Sequence, residues 1–114
     1  VFNHIVYGDV HGGGHLYGMD IEGKTEFPPT WDEARVVAMI LVALRNPAVH
    51  KVGYSNHPFD DGVIRAIVRW DNGARRVVTA VPFDGAGVVR NSRSDGTIKT
   101  PMPYGRTGPG PFVR

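Results

Sequence analysis

Apolar and polar positions along the chain fall into two regimes. The first is a dense apolar run, VVAMILVAL, framed by helix signals: Pro28 and Pro29 precede it, Thr30-Trp31-Asp32-Glu33 reads as a capping box, and Asn46-Pro47 stops it. Asp32 and Glu33 also favour the positive end of a helix dipole. The pattern predicts a helix from about Trp31 to Arg45. It is apolar almost all round, so it should be covered on more than one side, by a sheet and by the N-terminal segment. Beyond it β-branched residues dominate and the period falls to two. GVIRAIVRW and ARRVVTAVPF predict strands at Val63–Trp70 and Arg75–Pro82, joined through Asp71-Asn72-Gly73, where Asn and Gly tolerate positive φ. Arg65 and Arg69 alternate with Ala66, Val68 and Trp70, giving this sheet one partly charged face and one apolar face. Val52–Ser55 and the GAGVV segment add short strands. From Asn91 onward, Pro101, Pro103, Pro109, Pro111 and repeated glycines predict an irregular, extended tail over residues 91–114.

Length then limits what these elements can build. At 114 residues the chain supports one domain with one modest core, and it has neither internal repeats nor a linker that would divide it. No apolar run approaches the ~18 residues of a membrane span, the longest being Val36 to Leu44. The start, Val-Phe-Asn-His, has no basic and apolar leader regions, which is expected of a piece of a longer protein. With no cysteine, disulfides and thiolate metal sites are excluded, so the fold must hold by packing. The net charge of +2 is small but unevenly placed: Arg65, Arg69, Arg75, Arg76, Arg90, Arg93, Lys99, Arg106 and Arg114 all lie in the second half. Such a half suits a polyanionic partner such as RNA, and equally a solvated surface.

Two stretches carry candidate chemistry. Gly18 to Thr25 matches the phosphate-loop pattern GxxxxGK[ST], but GGGHLY precedes it where a strand is required and EFPPT follows where a helix is required. Asp20 and Glu22 would also place carboxylates inside the cradle, so nucleotide binding of that kind is rejected. The other stretch is HIVYGDVHGGGH, residues 4 to 15, which holds three of the five histidines. His4, Asp9, His11 and His15 offer ligands for a metal and hence a metal-dependent hydrolase, though the glycines leave the pair His11 and His15 without helical preorganisation. Histidines near apolar residues are also often plain hydrogen-bonded groups. The third reading is acid–base catalysis, with one imidazole taking a proton while the other gives one and the glycines letting the backbone approach a phosphate. That is the chemistry of metal-independent RNA cleavage, in which a 2′-hydroxyl attacks the adjacent phosphate and leaves a 2′,3′-cyclic phosphate.

Taken in order, HIVYGDVHGGGH, GKTEFPPTW and VVTAVP resemble the bacterial EndoU nuclease domain, over about residues 3 to 83. In that family a histidine followed by I-x-x-G-D and a second in a GGH motif precede G-K-x-E-F-P and a T-A-Y-P segment. The resemblance implies an α+β fold: a helix-containing N-terminal lobe packed on a twisted antiparallel sheet, with the active site in the cleft between them. It implies His4 and His15 as the catalytic pair, with His11 outside it, and Thr79 as the threonine that contacts the scissile phosphate or the base. Gly8, Gly12, Gly13 and Gly14 would let the loop fold back so that both rings face Thr79. Lys24 matches the family lysine of the second motif. Lys51 is the candidate for the catalytic lysine that eukaryotic and viral members carry further downstream. Lys24, Gly13, Gly14, Arg69 and Arg76 are the expected substrate-binding residues, and no metal or cofactor is expected. Val81 stands where the family has tyrosine, a place that Tyr104 or Phe83 would have to fill for base recognition. Bacterial members are typically C-terminal toxin domains of large secreted proteins, including contact-dependent inhibition systems, and several attack tRNA. The expectations that follow are a monomeric endoribonuclease, delivered to the cytoplasm of a target cell, with RNA as substrate and a dedicated immunity protein as partner. A non-catalytic RNA-binding module is the remaining alternative.

Overall fold

The structure, a computed structural model, describes residues 15–105. It is an α+β fold with one helix and two antiparallel sheets among the described residues. In chain order the elements are β1 (Thr25–Glu26), α1 (Glu33–Ala43), β2 (Val49–Lys51), β3 (Tyr54–Asp60), β4 (Ile64–Asp71), β5 (Arg76–Gly85), β6 (Val89–Asn91) and β7 (Lys99–Pro101). One sheet runs β2-β3-β4-β5 and the other β1-β6-β7, and β1 lies against β5 where the two meet.

Helix α1 begins two residues later than its sequence signals suggest. Its cap is Asp32, whose carboxylate accepts the Arg35 amide at 2.9 Å, so the expected Thr30–Glu33 capping box does not set the boundary. Spacing by three and four residues buries Val36, Met39, Ile40 and Ala43 against the apolar face of the four-stranded sheet, while Leu41 and Val42 stay about half exposed. The helix is thus covered along one stripe, and the further cover expected from the N-terminal segment falls outside the described residues. Phe27 and Trp31 stack at 5.4 Å beside it and complete the core with Ile64, Ala66, Val68 and Ala80.

The β4–β5 hairpin forms as the alternation predicts, but its turn works differently. Residues 72–75 make a four-residue loop, and the left-handed residue is Arg75 (φ 56°), not Asn72 or Gly73. The Asp71 carboxylate holds the loop by accepting the Gly73 and Ala74 amides at 2.9 and 3.0 Å. Along the hairpin, Arg69 pairs with Thr79 and Ile67 with Val81, whereas Phe83 and Val78 are extra residues at two register shifts. These bulges bracket Thr79–Pro82 and keep Thr79 and Val81 on the face away from the helix. The segment expected to be irregular from Asn91 instead contributes β7, which pairs with β6 through Asn91 and Lys99.

Candidate functional site

His15, the first described residue, is tied to β1 twice. Its carbonyl accepts the Phe27 amide at 2.7 Å, and its Nδ1 lies 2.7 Å from the Thr25 carbonyl. A carbonyl only accepts, so Nδ1 carries the proton. Thr25 in turn donates its hydroxyl to the Pro82 carbonyl at 2.7 Å, a buried bond between β1 and β5. Two hydrogen bonds therefore fix the otherwise buried imidazole relative to the strand that carries Thr79 and Val81.

Two hollows open on either side of Val81. The first, about 320 Å³, has His15, Lys24, Thr25, Val81, Phe83, Arg90 and Met102 in its walls, completed by Gly23 and Pro82. The second, about 310 Å³, lies on the open face of the four-stranded sheet and is walled by Lys51, Asn56, Ile67, Arg69, Thr79 and Val81. Its residues come together through register: Asn56 pairs with Arg69 and Arg69 with Thr79, forming one cross-strand row, and Ile67 with Val81 forms the next. Arg69 is steadied by Asn56 at 3.3 Å and by the Tyr54 ring at 5.8 Å. Among the described residues neither hollow has a carboxylate in its walls, and together they hold four cations, Lys24, Arg90, Lys51 and Arg69.

Two cations elsewhere in the fold, Arg65 and Lys99, are matched with acids. Arg65 forms a bidentate pair with Asp84, is flanked by the rings of Phe83 and Tyr104, and is held above its ordinary value by the Asp84 hydrogen bonds. Lys99 donates to Asp20, Glu26 and Asn91 at 2.6, 2.9 and 3.0 Å. Burial alone would raise the Glu26 carboxyl, but hydrogen bonds from Lys99, Asn91 and the Gly18 and Asp20 amides outweigh it and hold it below the usual range. The last two bonds also bear on the phosphate-loop pattern. The amides of Gly18 and Asp20 are occupied by the protein's own carboxylate, at 3.0 and 2.9 Å, and Thr25 opens a strand.

No protein-family model, curated protein or solved structure matches the chain. The chemistry of the two hollows therefore carries the functional reading. Of the residues singled out in the sequence, His15 and Lys24 share the first hollow and Thr79, Arg69 and Lys51 the second, with Val81 common to both. His4, Asp9, His11, Gly13 and Gly14 lie outside the described residues, and with them most of the proposed metal cluster. Arg76 is exposed at the far end of β5 and walls neither hollow. Arg65 is buried against Asp84 and so does not offer its charge to a polyanion, contrary to its expected place on a charged face. Between the two aromatic stand-ins for the family tyrosine, Phe83 borders the first hollow, whereas Tyr104 bonds Asp60 at 2.8 Å. Arg90 was missed. It reaches the site only because it pairs with Thr25 across β1 and β6, a contact with no local sequence signature.

A third hollow, of about 420 Å³, includes His50, Ser55, His57 and Trp70 on the opposite side of the sheet. There His57 donates Nδ1–H to the Asn46 carbonyl at 3.1 Å and accepts at Nε2 from Ser55 at 3.3 Å, so its ring bonds internally. Among the described residues this hollow has no lysine or arginine in its walls.

Proposed function

We propose that the protein is a metal-independent endoribonuclease of EndoU type, acting as a toxin domain on RNA inside a target cell and restrained by a cognate immunity protein. The observation that carries the reading is the pair of hollows meeting at Val81, with His15 on one side, Thr79 on the other and, among the described residues, four cations and no carboxylate in their walls. A polyanion laid across Val81 would have its phosphate beside a histidine of fixed tautomer and a hydroxyl.

In the proposed reaction one histidine of the pair His4 and His15 removes the proton of the 2′-hydroxyl, and the resulting oxygen attacks the neighbouring phosphorus. The bond from phosphorus to the 5′-oxygen breaks, that oxygen takes a proton from the other imidazole, and the upstream product ends in a 2′,3′-cyclic phosphate. His15, with Nδ1–H held by the Thr25 carbonyl, would exchange its proton through Nε2. Thr79 donates its hydroxyl to a non-bridging phosphate oxygen, and Arg69 offsets the charge that builds on the phosphorane. Incubation with total RNA in excess EDTA tests the reading. Cleavage that persists in EDTA supports it, cleavage restored only by a divalent ion points to metal-dependent hydrolysis, and no cleavage in either condition leaves a binding module.

A further inference from the structure

The two hollows differ in one respect that bears on how a strand lies across them. Both are cationic, but among the described residues only the first has an aromatic wall, Phe83, together with the thioether of Met102. Phe83 is backed by the Arg65 guanidinium at 5.2 Å, itself locked on Asp84, so the ring is held from behind by a charge already neutralised. The walls above it carry Lys24 and Arg90, and among the described residues neither side chain forms an ion pair or a hydrogen bond. A hollow of this size falls at the low end of small-molecule sites, which begin near ~300 Å³. Cations beside an aromatic face are what a nucleotide needs, a phosphate for the former and a base for the latter.

We propose that this hollow is a second-nucleotide subsite: Arg90 and Lys24 take the phosphate next to the one that is cut, and Phe83 with Met102 receives the base joined to it. This rests on the nuclease reading, which puts the cut phosphate at Val81. The site is thus built for a strand with at least one phosphate beyond the scissile one, and base discrimination lies beside Phe83 rather than over Thr79, where Val81 offers no ring.

The test uses uncleavable deoxydinucleotides, TpT against pTpT and TpTp, with binding to the intact chain followed by NMR shift titration at low salt. One of the two terminal phosphates should tighten binding by about threefold or more, a gain that shrinks with added salt. Arg90→Gln should erase that gain, whereas Arg76→Gln, at an exposed arginine outside both hollows, should keep it. The subsite is overturned if neither phosphate helps, if the gain survives Arg90→Gln, or if Arg76→Gln removes it equally. RNA cleavage by the same wild-type sample separates the two ideas. Cleavage without the phosphate gain removes the subsite alone, and the gain without cleavage removes the nuclease reading while the subsite stands.

Discussion

Thr79 and Thr25 stand on neighbouring strands, yet their hydroxyls do opposite jobs. The Thr79 hydroxyl forms no hydrogen bond among the described residues and faces the second hollow, while that of Thr25 is buried on the Pro82 carbonyl. Thr79→Val should therefore leave the urea midpoint within ~0.5 kcal/mol of wild type. RNA turnover should fall by about 10²-fold, the usual cost of one lost donor to a developing anion. Thr25→Val should instead lose both, because it leaves a buried carbonyl unpaired at a cost of about 1–3 kcal/mol and frees β1 from β5. Equal effects of the two changes on stability would contradict this division. Thr79, His15 and Lys24 were legible in the sequence because each belongs to a short motif. Arg90 and the buried state of Arg65 were not, since both depend on partners far away in the chain, Thr25 and Asp84.

Among the elements, α1 and the β4–β5 hairpin are where periodicity is strongest, and both formed within two or three residues of the expected bounds. Their ends were less legible, because caps and turns depend on which of several suitable side chains wins. Asp32 outcompeted Thr30, and Asp71 anchors a loop whose left-handed position falls on Arg75 instead of the neighbouring glycine. An L-residue with a side chain pays roughly 1–2 kcal/mol in that conformation. Arg75→Gly should consequently stabilise the protein by about 0.5–1 kcal/mol, after the added freedom of the unfolded chain offsets part of the relief. Urea unfolding checks this, and a lower midpoint would mean that the Arg75 side chain contributes contacts that outweigh the strain. The short strands β1, β6 and β7 have two or three residues each, too few for any period to show.

At the scale of the whole molecule, the three-stranded sheet joins the two ends of the described chain, and its polar centre is Glu26 with Lys99 and Asn91. Glu26 sits below its ordinary value near 4.5, so its contribution to stability is present above that value and lost as pH falls through the depressed one. For Lys99, burial alone would lower the ammonium, but hydrogen bonds to Asp20 and Glu26 outweigh it and raise it, so its share is lost only as pH rises beyond 10.5. Thermal midpoints should fall as pH drops below about 4.5, and Glu26→Gln should be less stable at neutral pH with a shallower acid limb. An unchanged acid limb would show that other carboxylates set it. That α+β order of helix then hairpin was legible from period alone, whereas the joining of β1 to β6, which makes the His15 hollow, was not. The most direct measurement of the central claim is the end group left on cut RNA. In excess EDTA the wild-type chain should yield fragments ending in a 2′,3′-cyclic phosphate by mass spectrometry, and His15→Ala, folded by circular dichroism, should yield none. Fragments ending in a 3′-hydroxyl, or cleavage that survives His15→Ala, would contradict it.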